Sequence, residues 1–132
     1  MKNQLLPCLL TVLMSLVGTK SLAYGDIKVA NSDGVTIYYK FYNRNDYIGS
    51  KKVLAVISNG DNSYSGNVVI PASVKYDGLT YDVVFIDDHA FYHCTGLTSV
   101  TIPNSVEYIY KYAFAGCSGL TSVIIGNSVT SI

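Results

Sequence analysis

The chain has 132 residues, room for about one small domain once an apolar leader is set aside. Its nine basic and nine acidic residues balance, and removal of residues 1–23 takes away Lys2 and Lys20, leaving seven against nine, a net charge of −2. That balance excludes a basic nucleic-acid-binding face, and the 12 Tyr and four Phe, all beyond residue 23, exclude a disordered tail.

The first element is Leu5 to Val17, a nearly uncharged apolar run preceded by Lys2 and followed by Ser21-Leu22-Ala23, whose small residues suit a signal peptidase. The pattern predicts a secretory signal peptide over 1–23, cut after Ala23. The run of 13 residues makes a helix of roughly 20 Å, short of a hydrocarbon core of about 30 Å, so no transmembrane span is expected after cleavage. Cys8 sits inside the run, which argues against a lipid anchor on it. The mature chain is therefore expected to be exported, secreted or at the cell surface, where disulfides are permitted, and it keeps Cys94 and Cys117.

Residues 24–67 read as a β-rich N-terminal cap. Val35, Ile37, Tyr39 and Phe41 alternate with Thr36, Tyr38, Lys40 and Tyr42, a strand with one apolar and one mixed face. Ile27 to Ala30 is expected to pair with it across Asn31-Ser32-Asp33-Gly34, and Val53 to Ile57 gives a further apolar strand before Asn59-Gly60. A cap of this kind covers the strand edges and apolar core that an end unit of a repeat array leaves open.

From residue 86 the chain repeats. Residues 86–108 set above 109–131 are identical at 13 of 23 positions, including Ala90-Phe91 with Ala113-Phe114, Cys94 with Cys117, and Gly96-Leu97-Thr98-Ser99-Val100 with Gly119-Leu120-Thr121-Ser122-Val123. Such a period with spaced aliphatics marks a leucine-rich-repeat solenoid, each unit burying its apolar side on the next. Ile86, Ala90, Phe91, Cys94, Leu97, Val100, Ile102 and Val106 should point inward. Ala-Phe-x-x-Cys predicts a short helical turn ended by Gly96 and Gly119 at positive φ. Thr98 to Ile102 and Thr121 to Ile125 predict strands paired in parallel, the first ended by Pro103. A partial unit, 68–85, carries Val69-Ile70-Pro71-Ala72-Ser73-Val74 and a nine-residue insertion, in which Asp77-Gly78 predicts a hairpin turn. The chain stops at Ile132, which begins a third full unit, so a short or shortened array is expected.

The residues Leu-Thr-Ser-Val-Thr-Ile-Pro-Asn-Ser-Val, with Ala-Phe-x-x-Cys-x-Gly-Leu, closely resemble the BspA-type leucine-rich repeats of bacterial surface proteins. The resemblance covers roughly half of the mature chain. It implies an α/β leucine-rich-repeat solenoid of short parallel strands and helical turns, secretion or surface display, and binding of proteins or host surfaces. It brings no catalytic residue, cofactor or metal with it.

Several residues still invite chemistry. Cys94 and Cys117 take the same place in successive units, which suits either two reduced core thiols or a disulfide. His89 and His93 are four apart beside Asp87 and Asp88, a spacing that can share a metal, but no third ligand is fixed by it. Asp77, Asp82, Asp87 and Asp88 read as edge and turn residues. The variable positions Thr101, Glu107, Tyr108, Tyr110, Tyr112 and Ile124 are the candidate partner contacts, since Tyr couples a large apolar area to a polar tip. No phosphate-cradling loop, serine elbow or paired zinc-cysteine motif occurs. The expected function is a protein-binding or adhesion scaffold without catalysis, the other readings being a structural surface element and a carbohydrate-binding module.

Overall fold

The computed structural model describes residues 27–43 and 52–132, and the signal peptide expected over 1–23 lies outside the described residues. Nine strands form two sheets. β1 (Ile27–Ala30), β2 (Thr36–Asn43), β3 (Lys52–Ile57), β5 (Ser73–Tyr76), β6 (Leu79–Ile86) and β8 (Tyr108–Ile109) make the larger, in the order β1-β2-β3-β6-β5 with β8 on β6. β4 (Gly66–Val69), β7 (Leu97–Ile102) and β9 (Ser122–Ile125) make the smaller.

The opening hairpin follows from Asn31. Its Oδ1 accepts from the Asp33 and Val35 N–H groups at 2.9 Å each, and Gly34 takes φ +83°. β1 and β2 then pair antiparallel, Ile27 opposite Tyr39. The amide of Asn31 donates to Val69 O at 2.9 Å, so the hairpin also covers the outer edge of β4. The insertion is a second hairpin, Tyr76 opposite Leu79, and Asp77 (φ +51°) with Gly78 (φ +78°) supplies the two left-handed residues of a tight turn.

Parallel pairing carries the repeat. β3, β6 and β8 stack in one sheet, with Val56 opposite Ile86 and Ile86 opposite Ile109. β4, β7 and β9 stack in the other, Val68 opposite Val100 and Val100 opposite Val123. The chain crosses from one sheet to the other twice per unit, and the core fills the space between them. All eight positions expected to point inward from Ile86 to Val106 are buried there. Tyr64, Phe91 and Phe114 stack through that core, ring centroids 4.8 Å and 5.1 Å apart.

The short helical turns are not found; no helix occurs among the described residues. Alternate N–H groups of the Ala-Phe-x-x-Cys segment do different things. Those of Ala90, Tyr92 and Cys94 bond three residues back, to Asp87, His89 and Phe91, while those of His89, Phe91 and His93 bond to Lys111, Ala113 and Ala115 of the next unit. In an α-helix successive N–H groups bond four residues back within the same segment; here every second one bonds to the next unit instead. The alternation needs left-handed residues, and His89 (φ +59°), His93 (φ +54°), Tyr112 (φ +57°) and Gly116 (φ +78°) supply them.

The expectation for Gly96 and Gly119 is corrected as well, since neither lies at positive φ. They are small because the units approach closely. A Cβ on Gly119 would stand 2.5 Å from Thr95 O, and one on Gly96 3.2 Å from the Ser65 Cβ.

Candidate interaction faces

The six candidate contact residues fall on two different sheets. Thr101 and Ile124 are paired neighbours on the smaller sheet, in line with Val69. Their side chains turn away from the core because Val100, Ile102 and Val68 alternate with them inward. Ile124 is 62% exposed, and in the adjacent row Ser99 Oγ bonds Asn67 Oδ1 at 2.7 Å. The outward row Val69, Thr101 and Ile124 is uncharged; β7 is paired on both sides, while β9 pairs with β7 alone among the described residues.

Tyr108 and Tyr110 flank Ile109, and they belong to the outer face of the larger sheet. There Val53, Ala55, Val84 and Phe85 make a second, smaller cluster against which Tyr42 and Tyr108 pack. Phe85 is its centre: Tyr42 at 4.6 Å, Tyr108 at 5.5 Å and Tyr110 at 5.9 Å surround it, with interplanar angles of 34°, 17° and 19°. Tyr42 and Tyr110 lie 6.5 Å apart at 21°. The rings are therefore nearly parallel and packed against one another. Tyr110 keeps 36% of its surface exposed, yet its phenol is pushed up to about 12, by desolvation first and then by a hydrogen bond with Tyr42 and the negative groups nearby. Lys40 lies 5.6 Å from the Tyr42 ring centroid and forms an ion pair with Asp87.

Tyr112, 57% exposed, sits on the turn beside these, its ring 5.1 Å from that of His89. Glu107 lines a separate cavity of about 520 Å³ with Asp82, Asn104 and Ser105.

The two histidines do not face one another. The Tyr92 ring contacts both, 4.7 Å from His89 and 4.2 Å from His93, and His89 Nδ1 is paired with Asp88 at 2.9 Å. No group of three or more His, Cys, Asp or Glu that suits a metal ion occurs among the described residues. Of the aspartates, Asp77 serves the hairpin turn, while Asp87 and Asp88 hold Lys40 and His89.

Cys94 and Cys117 are free thiols, the first buried and the second half-buried. Desolvation is the main cause raising both above their ordinary value, and Cys117 Sγ bonds Phe91 O at 3.0 Å. Both are held protonated, as core groups.

Sequence pattern alone did not join Tyr42 or Phe85 to the tyrosines of the repeat. Only the parallel pairing of β3 with β6 and of β6 with β8 does so.

Parallel strands in two stacked ladders, repeated every 23 residues with an aliphatic core between them, define a leucine-rich-repeat protein. The model of the BspA-type leucine-rich repeat region matches residues 66–132, half of the chain, and the chain belongs to that family. Solved structures agree. A leucine-rich repeat protein from Bacteroides ovatus is 31% identical over 70% of this chain and 23% of its own, with a TM-score of 0.55. A leucine-rich cell surface protein from Faecalibacterium prausnitzii is 26% identical over 80% of this chain and 25% of its own, TM-score 0.53. One from Bacteroides capillosus, 24% identical with a TM-score of 0.56, shares the fold over 76% of this chain and 65% of its own. The chain thus spans less than two thirds of each of these proteins. No curated protein matches it.

Proposed function

We propose that the chain is an exported, surface-displayed recognition scaffold that binds another protein without covalent chemistry, residues 1–23 serving as its signal peptide and 24–67 sealing one end of the solenoid. The observation that carries this reading is the pairing of Ile124 with Thr101 at outward-facing positions of the smaller sheet, an uncharged row continued by Val69. A large aliphatic side chain held open on a rigid sheet is suited to docking against a partner's apolar residues. Tyr112 and Tyr110 extend the contact area on the other side. The leucine-rich cell surface protein of Faecalibacterium prausnitzii supports the surface location. No helix among the described residues is long and apolar enough to cross a membrane.

The test is capture of host and bacterial surface proteins on immobilised mature chain, repeated with Ile124→Lys and Thr101→Arg. Capture that both substitutions abolish, with unchanged circular dichroism, is the expected result. Capture that neither substitution alters would place the contact elsewhere, and no capture at all would remove the reading.

A further inference from the structure

The sequence holds a single Asn-Gly pair, Asn59-Gly60, and it lies in the loop from β3 to β4, which joins the cap to the smaller sheet. A glycine after an asparagine lets the backbone nitrogen reach the side-chain amide, because no Cβ stands in the way. Gly60 is exposed, takes φ +89°, and has nothing within 4 Å of the place a Cβ would fill. The chemistry open to this pair is deamidation. The Gly60 nitrogen gives up its proton and bonds to Asn59 Cγ, which closes a five-membered imide, and the side-chain nitrogen leaves as ammonia. Water then adds to one imide carbonyl and opens the ring to an aspartyl or an isoaspartyl residue.

In the folded loop both reacting groups are occupied. Asn59 Nδ2 donates to Ser63 Oγ at 2.8 Å, and Asn59 Oδ1 accepts from the Ser63 N–H at 3.3 Å. The Gly60 N–H donates to Ser58 Oγ at 3.0 Å. Attack requires the carboxamide to leave Ser63 and the Gly60 N–H to leave Ser58, so it follows a local opening of the loop. The product does not restore what was broken. A carboxylate at position 59 lacks the N–H that Ser63 Oγ accepts, and it adds a negative charge beside Asp61, whose Oδ1 accepts from the same Ser63 N–H at 3.1 Å. The isoaspartyl form also lengthens the backbone by one atom. Just beyond, Tyr64 bridges the Tyr38 N–H and Ile57 O, and the Gly66 N–H bonds Gly96 O at 2.9 Å, so the altered loop is the one that ties the cap to the repeat. We propose that Asn59-Gly60 is a deamidation site guarded by its own loop, at which an opening of the loop is made permanent and the joint between cap and repeat is loosened. The site is separate from the Thr101–Ile124 face, so the two proposals stand or fall apart from each other.

The experiment incubates the full mature chain in mildly alkaline buffer, with and without urea, and follows conversion at position 59 by peptide mass mapping and an isoaspartate assay. Conversion in the folded chain should run about tenfold or more slower than in urea. Ser63→Ala, which removes the acceptor of Asn59 Nδ2, and Ser58→Ala, which releases the Gly60 N–H, should each raise the folded rate toward the urea rate. The two substitutions act on opposite reacting groups, so if one proves unstable the other decides. Asn59→Asp carries one product directly; it should increase protease cleavage within residues 58–63 and lower the melting midpoint. Equal rates in buffer and urea, no conversion in urea, or folded rates that neither serine substitution raises would overturn the guarded site. Cleavage and melting left unchanged by Asn59→Asp would overturn the loosening of the joint.

Discussion

Two buried tyrosines of neighbouring strand environments make opposite demands on their hydroxyl groups. Tyr64 accepts from the Tyr38 N–H at 2.9 Å and donates to Ile57 O at 3.1 Å, tying the loop after β3 to β2. Tyr39, wholly buried in the middle of β2, has no partner for its hydroxyl. Since an unpaired buried polar group costs about 1–3 kcal/mol, Tyr39→Phe should leave stability unchanged or raise it. Tyr64→Phe strands two backbone groups and should lower stability by about 1–3 kcal/mol. Urea denaturation of the two variants beside the wild type checks the pair, and a loss in Tyr39→Phe as large as that in Tyr64→Phe would refute the account. The thiols give a second residue-scale prediction. In the folded chain Cys117 should react with a disulfide reagent before Cys94, and both far more slowly than in urea, because burial keeps the thiol form and blocks approach. Prompt reaction of Cys94 in the native state would contradict its place in the core.

At the scale of the element, the repeat was readable because 13 of 23 positions recur, and the inward residues follow from their spacing alone. The turns were not. Intervals of three residues suit a helix and a chain of three-residue-back hydrogen bonds equally well, and the choice was made by the next unit, whose Lys111, Ala113 and Ala115 carbonyls take every second N–H. The glycines were misread for a related reason. Gly96 and Gly119 end the turns, as a left-handed residue would, yet what they accommodate is a neighbouring backbone rather than their own φ. Gly119→Ala therefore tests the stacking directly. The added methyl group meets Thr95 O at 2.5 Å and forces the units apart, with an expected loss of about 1–3 kcal/mol. Gly34→Ala, where nothing lies within 4 Å and only the φ of +83° opposes the side chain, should cost about 1 kcal/mol. Equal and small losses at both positions, read from thermal melts, would mean that the close approach at Gly119 is easily relaxed.

Across the whole molecule, the aromatic content seen in the composition is divided between a core column and an outer cluster, and the division has a consequence for alkaline stability. Desolvation raises the Tyr39 and Tyr64 phenols well above their ordinary value of 10.0, and Tyr110 goes up to about 12. In the unfolded chain these phenols ionise near the ordinary value, before they do so in the folded one. Above it the unfolded state therefore holds fewer protons, and stability falls as pH rises. The contribution of these groups is fully present below pH 10.0 and is lost as pH climbs through the raised values. The two thiols, raised from 9.0, begin the loss slightly earlier. Each buried phenol adds a slope of up to about 1.4 kcal/mol per pH unit. Denaturation midpoints should thus hold steady through neutral pH and drop above about pH 9–10, with phenolate absorbance in the folded state lagging behind that of an unfolded control. Tyr39→Phe removes one of the ionising groups and should make the drop shallower. A wild-type midpoint that stays flat to about pH 11, or a slope that Tyr39→Phe leaves as steep as before, would show that these phenols reach solvent more freely than their packing between the two sheets allows.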